Sequence, residues 1–225
     1  MVPIIELKDE DLMRLKELGI KYKLKEEDKP ARTRTEDKEG FIYVPSMNLY
    51  IAKERSHLRK NWHEAHEALL EEDSKMLTIP EFANFLNYLK ENPSRENTQV
   101  YKDITQLTSP WRAEWLDAYF EKRKDGFYVL TGNKATAEKL ETALMEDRTP
   151  GISLDSWLKK PNSQGLPRSD IAKGNLNYCY PRDGTVAEFV AYSDGIDLDC
   201  DGDPSATESV FGVRAAKFVI GVRGE

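Results

Sequence analysis

The sequence predicts an α+β domain, and three stretches carry that expectation. Asn61 to Leu70 and Thr78 to Leu89 space their apolar residues as two helices do. Val186 to Ser193 alternates with a period of two, as a half-buried strand does. Phe41-Ile42-Tyr43-Val44 is a compact apolar and aromatic run, read as a strand stopped by Pro45.

In chain order, Asp11 to Gly19 reads as a short amphipathic helix, with Leu12, Leu15 and Leu18 on one stripe and Gly19 at its end. Lys21 to Gly40 reads as an exposed, charged linker, so residues 1–40 form an N-terminal helical extension and 41–225 the main domain. In the first helix of that domain Trp62, Ala65, Ala68 and Leu69 point inward. Thr78 and Glu81 form a capping box for the second, with Pro80 in its first turn. Phe82, Phe85, Leu86 and Leu89 make its apolar stripe. Asn92 to Gln99 is breaker-rich and read as a loop. Residues 110–120 read as extended, 127–130 as a strand, 136–146 as a third helix, 153–158 as a further short element and 162–167 as a loop. After the strand at 186–193 a Gly/Asp-rich loop is expected, followed by a closing pair of strands at 211–216 and 218–222.

Composition bounds the function. At 225 residues, 39% hydrophobic and 32% charged, the chain is long enough to bury a sizeable core and is not composed like a disordered one. No apolar run approaches the roughly 20 residues of a membrane helix. Met1 to Glu6 lacks a basic segment followed by an apolar one, so no secretory signal is expected; the cytoplasm is the default location, and delivery to a surface by another route the alternative. Cys179 and Cys200 are too few for a disulfide framework or a thiolate zinc site, and two free thiols are expected.

The net charge of −7 is localised. Residues 183–208 hold eight acids and no Lys or Arg, while the rest of the chain sums to +1. Such a face disfavours nucleic acid and suits a basic partner, a cation or hydrogen-bond donors.

Catalytic patterns are sparse. His63-Glu-Ala-His66 has the wrong spacing for a metalloprotease helix. Glu54-Arg-Ser-His57 matches half of a di-iron signature whose other carboxylate helices are missing. The histidines are therefore expected to face solvent. Neither a phosphate-binding glycine loop nor a Gly-x-Ser-x-Gly elbow occurs, and no enzyme is expected. Asp197-Leu-Asp199-Cys-Asp201-Gly202 with Glu208 satisfies the spacing of a twelve-residue calcium loop, but Pro204 occupies an aliphatic position and no entering helix precedes it. Calcium bound by Asp197, Asp199, Asp201 and Glu208 is the alternative; otherwise no cofactor is expected.

Asn61-Trp62-x-x-Ala65 followed by Met76-Leu77-Thr78-x-x-Glu81-Phe82 is similar to the two-helix portion of C-type-lectin and formylglycine-generating-enzyme-like folds. Gly184-Thr-Val-Ala-Glu-Phe-Val-Ala191 and Phe211-Gly-Val-Arg214 resemble their core segment and closing strand. More narrowly, Pro110 to Asp117, Leu144 to Arg148, Asn162 to Pro167, Tyr180-Pro-Arg182 and Ser209 to Ala216 resemble the variable proteins of diversity-generating retroelements, of the archaeal type. The likeness spans roughly residues 41–217. It implies a C-type-lectin-like domain of two helices on small antiparallel sheets, and a monomeric binding protein for a protein or cell-surface ligand.

It also implies a C-terminal segment, about 177–208, rewritten by error-prone reverse transcription over a fixed skeleton. The skeleton maps to Leu176, Tyr178, Tyr180, Pro181, Val186, Phe189, Ala191, Ser193, Leu198, Cys200, Pro204, Gly212 and Arg214. The variable, ligand-binding positions map to Asn177, Cys179, Asp183, Thr185, Glu188, Val190, Tyr192, Asp194, Asp197, Asp199, Asp201, Asp203, Thr207 and Glu208. Formylglycine-generating activity is the disfavoured alternative, because neither cysteine matches the copper site of that family.

Overall fold

The computed structural model describes residues 39–141 and 145–219. The helix expected at 11–19 and the linker that follows it lie outside them, apart from Glu39 and Gly40. An α+β architecture emerges, with four helices among the described residues.

Its elements run β1 (Phe41–Val44), β2 (Leu49–Ala52), α1 (Trp62–Glu71), β3 (Lys75–Met76), α2 (Ile79–Glu91), α3 (Arg95–Thr105), β4 (Arg112–Arg123), β5 (Gly126–Thr131) and β6 (Thr136–Lys139). Then come β7 (Arg148–Ile152), α4 (Leu154–Lys159), β8 (Leu176–Cys179), β9 (Val186–Ala191), β10 (Ile196–Gly202), β11 (Phe211–Gly212) and β12 (Ala215–Phe218). Both expected capping boxes form: Asn61 with Glu64 opens α1, and Thr78 with Glu81 opens α2. Each satisfies two backbone donors that a helix start leaves free.

The strands make a four-stranded sheet, β1-β2-β12-β3, and a larger one, β6-β5-β4-β9-β10-β8-β7, with β11 beside β4. Two pairings are parallel, β10 with β8 and β11 with β4. One small antiparallel sheet, as expected from the sequence, is present, and beside it stands a large, mostly antiparallel mixed sheet. The large sheet is covered on both faces around β4 and β9. One face packs Phe189, Leu198 and Tyr178 against Phe82, Phe85, Leu86, Val100, Ile104 and Trp157 of α2, α3 and α4. The other packs Val186, Val190, Ala113 and Trp115 against Trp62, Ala65 and Leu69 of α1 and against Phe211.

Four expectations are corrected. Residues 95–99 belong to α3, not a loop: Ser94 accepts the Asn97 N–H at 2.9 Å as N-cap, and Asn97, Val100 and Ile104 form the buried stripe. Pro93 and Ser94 mark a helix start rather than a coil. Thr136–Lys139 is a strand, not a helix, because pairing with β5 overrides the helical propensity of Ala, Glu and Lys; residues 142–144 lie outside the described set. The Gly/Asp-rich stretch after β9 is strand β10. The first closing strand, expected over 211–216, is split into β11, which joins β4, and β12, which runs between β2 and β3; residues 220–222 of the second, expected over 218–222, lie outside the described residues.

The buried pair Glu114–Arg214 ties these layers together. The guanidinium donates to both carboxylate oxygens, at 2.7 and 3.0 Å, and also to the carbonyls of Ala52 (2.9 Å) and Lys53. Arg214 pulls the Glu114 carboxyl below the usual range, against the opposing effect of complete burial.

Candidate functional site

The cover provided by α1 and β11 ends at β9, and the same face of the large sheet opens along β10 and β8. In β10 the buried Ile196, Leu198 and Cys200 alternate with half-buried Asp197 and Asp199 and exposed Asp201. In β8 the buried Leu176 and Tyr178 alternate with half-buried Asn177 and Cys179. The parallel register sets Asn177 beside Asp197 and Cys179 beside Asp199. On the other side of β10, antiparallel pairing sets Asp199 opposite Glu188 and Asp197 opposite Val190. Cys179, Asp199, Glu188 and Trp115 therefore form one row across four strands.

Several polar groups of this face are held in place. The Asn177 amide donates to Asp197 at 2.9 Å, and the Asp201 N–H to Asp199 at 2.8 Å. The Thr185 hydroxyl lies within donating distance of the carbonyls of Cys200 (2.8 Å) and Arg182 (2.9 Å) and accepts the Arg182 N–H at 3.2 Å. Asp183, exposed, accepts the Lys122 N–H at 2.7 Å. Tyr192 stacks on Trp111 with ring centres 5.8 Å apart and closes a turn by donating its N–H to the Gly195 carbonyl. Asp194 is exposed in that turn, and Asp203, Thr207 and Glu208 are exposed beyond β10.

Two of the expected ligand-binding residues are not on the surface. Val190 is fully buried in the α1-side core, and Glu188 is 6% exposed. β9 is a central strand covered on both faces, so its period of two separates two interiors rather than core from solvent. Ser193, expected inward, lies past the end of β9 and is exposed.

Electrostatics follow from the crowding. Burial, then Asp199 and Asp201, raise the Glu188 carboxyl well above its ordinary range, and its Oε2 has no hydrogen-bond partner. Burial pushes Asp199 up to about 7, with Asp201 beside it adding to the rise, and pushes the Cys179 thiol up to about 12. Asp197 is raised by burial as well.

The twelve-residue calcium loop does not form. Residues 196–202 are extended, and a strand cannot wrap its carboxylates around one ion as a loop does. Among the described residues, the single group of three or more His, Cys, Asp or Glu donors close enough to share an ion is Cys179, Asp199 and Asp201, all within 4.8 Å of one another. The expectation of a Gly/Asp-rich loop after the strand at 186–193 hid this group, although Ile196, Leu198 and Cys200 alternate with the aspartates as strand residues do. Both cysteines are free, and they project from opposite faces of neighbouring strands.

A second feature was missed. His66, expected in solvent, is 8% exposed, four residues from Trp62 on the buried stripe of α1, with Nε2 3.3 Å from Asp117. Asp117 also accepts the N–H groups of Gly132 (2.7 Å) and Asn133 (3.4 Å). The pair lines a cleft of about 400 Å³ with Lys75 and Thr78.

Among the described residues no helix is long and apolar enough to cross a membrane. No family model, curated protein or solved structure matches this chain.

Proposed function

We propose that the chain is a selective binding protein with a C-type-lectin-like domain. Its recognition face is the open face of β8 and β10, together with the turn at 192–195 and the segment 203–208, for a protein or cell-surface ligand. On this reading it is a variable protein of a diversity-generating retroelement, and no chemistry is performed at the face.

One observation carries the reading. In β8 and β10, residues that fill the core alternate with residues that reach the open face, so the surface residues can change while the core stays fixed. Leu176, Tyr178, Leu198 and Cys200 are buried, whereas Asp183, Asp194, Asp201, Asp203, Thr207 and Glu208 are exposed. Asp, Asn, Thr and Tyr on a rigid sheet suit adaptable recognition, with Tyr192 on Trp111 as an aromatic anchor of low conformational entropy. Glu188 and Val190 are removed from the contact set by their burial, which leaves twelve of the fourteen mapped positions.

Deep sequencing of the 3′ end of this gene across a natural host population tests the reading. Substitutions confined to adenine-containing codons of the open-face positions are the expected result. A uniform sequence, or changes scattered equally over Leu198 and Asp201, would remove the diversification argument.

A further inference from the structure

We propose that Cys179, Asp199 and Asp201 bind a divalent ion of the zinc class, backed by the buried carboxylate of Glu188. Their donor atoms lie within 4.8 Å of one another, a spacing that one small ion can bridge. Sheet register rather than flexible loop builds the group: Cys179 and Asp199 are paired residues of parallel strands, and the Asp201 N–H fixes the Asp199 carboxylate at 2.8 Å.

Next to the cluster, outside the group of three donors itself, lies a buried carboxylate. Glu188 is 6% exposed, opposes Asp199 across the β9–β10 pair, and keeps Oε2 unpartnered. A buried carboxylate oxygen without a donor is costly unless a cation or proton satisfies it. Gly202 leaves the room this carboxylate occupies, since a Cβ there would stand 3.3 Å from the Glu188 Cδ. Arg182 is the cation paired with the cluster, 3.8 Å from Asp201, and it is shared with Asp147, which it meets at 2.5 Å.

The donor set selects the ion. Calcium and magnesium take oxygen ligands, whereas a thiolate with carboxylates favours zinc and its neighbours in the transition series. Three protein donors leave a tetrahedral ion one open position, facing the exposed side of β10. This inference is independent of the recognition reading, because it concerns the ion alone.

Cobalt(II) titration of the metal-stripped full chain, under a non-thiol reductant, provides the test. The expected result is a thiolate-to-cobalt charge-transfer band in the near ultraviolet, saturating at one ion per chain and abolished by zinc. Cys200→Ser keeps the band and Cys179→Ser removes it. Asp201→Asn, an exposed change that leaves the fold intact by circular dichroism, weakens cobalt binding by about tenfold or more. Absence of the band in folded wild-type protein overturns the proposal. So does a band that survives Cys179→Ser, or cobalt affinity unchanged in both Asp199→Asn and Asp201→Asn. Calcium raising the melting temperature as much as zinc, with no effect of Cys179→Ser, also overturns it.

Discussion

Two residues far apart in the chain, Glu114 and Arg214, show how a single interaction can be costly to break yet dispensable as a pair. Both are nearly inaccessible, at 2% and 4% exposure. Arg214→Met leaves Glu114 buried without a partner, and the expected loss is about 3–5 kcal/mol in a urea melt at neutral pH. Glu114→Gln combined with Arg214→Met should recover most of it. The pH dependence follows from sign. Because the folded-state Glu114 is held below its ordinary value of 4.5, its contribution is present above that value and lost as pH falls through the folded value. The gap between wild type and Arg214→Met should therefore narrow on acidification below about 4.5. A gap that stays constant would mean the pair acts by shape rather than charge. Asp117 makes a related case without an arginine. Asp117→Ala strands the Gly132 and Asn133 N–H groups, and a loss of about 1–3 kcal/mol by thermal denaturation is expected.

At the scale of elements, the caps are the most direct test of local logic. Thr78→Ala removes the acceptor for the Glu81 N–H and should cost about 1 kcal/mol, whereas Glu91→Ala at the far end of α2 should cost little. The same local signals made α1 and α2 legible in the sequence, because a cap, a stripe and a stop all agreed. Residues 136–139 failed for the opposite reason. Ala, Glu and Lys favour a helix, and only long-range pairing with β5, invisible in sequence, makes them a strand. β10 failed because Asp and Gly are poor strand formers, so composition outweighed a visible alternation. The open face of β10 and β8 was legible only as an alternation, in which half-buried or exposed Asn177, Cys179, Asp197, Asp199 and Asp201 separate buried Leu176, Tyr178, Leu198 and Cys200. That β9 is central rather than half-exposed depends on α1 and β11 covering it, so the burial of Glu188 and Val190 could not be read from β9 alone. Gly165 shows a contact of the same hidden kind. It adopts φ +81°, and a Cβ would lie 2.6 Å from the Pro80 nitrogen, so the loop at 162–167 fits against the start of α2 only with glycine there.

Across the whole molecule, the large sheet divides into a region with an interior on each face, around β4 and β9, and a region with one interior and one open face, along β10 and β8. The two regions should respond to substitution very differently even where residues adjoin. Asp194→Ala, Asp201→Ala, Thr207→Ala and Glu208→Ala remove exposed side chains, and each is expected to change stability by less than about 0.5 kcal/mol. Relief of repulsion among the eight acids of 183–208 acts in the stabilising direction, so the four combined should melt no lower than wild type in chelator-treated buffer. Leu198→Ala, one position from Asp199 and fully buried, should cost about 2–5 kcal/mol. Val190→Ala separates the two descriptions of β9. A surface position would tolerate it, but Val190 packs in the core with Trp115 and Trp62, so a loss well above about 0.5 kcal/mol is expected. If Val190→Ala melts like wild type while Leu198→Ala does not, α1 does not cover β9 in solution. The open face would then extend one strand further, and Val190 would return to the set of residues free to vary.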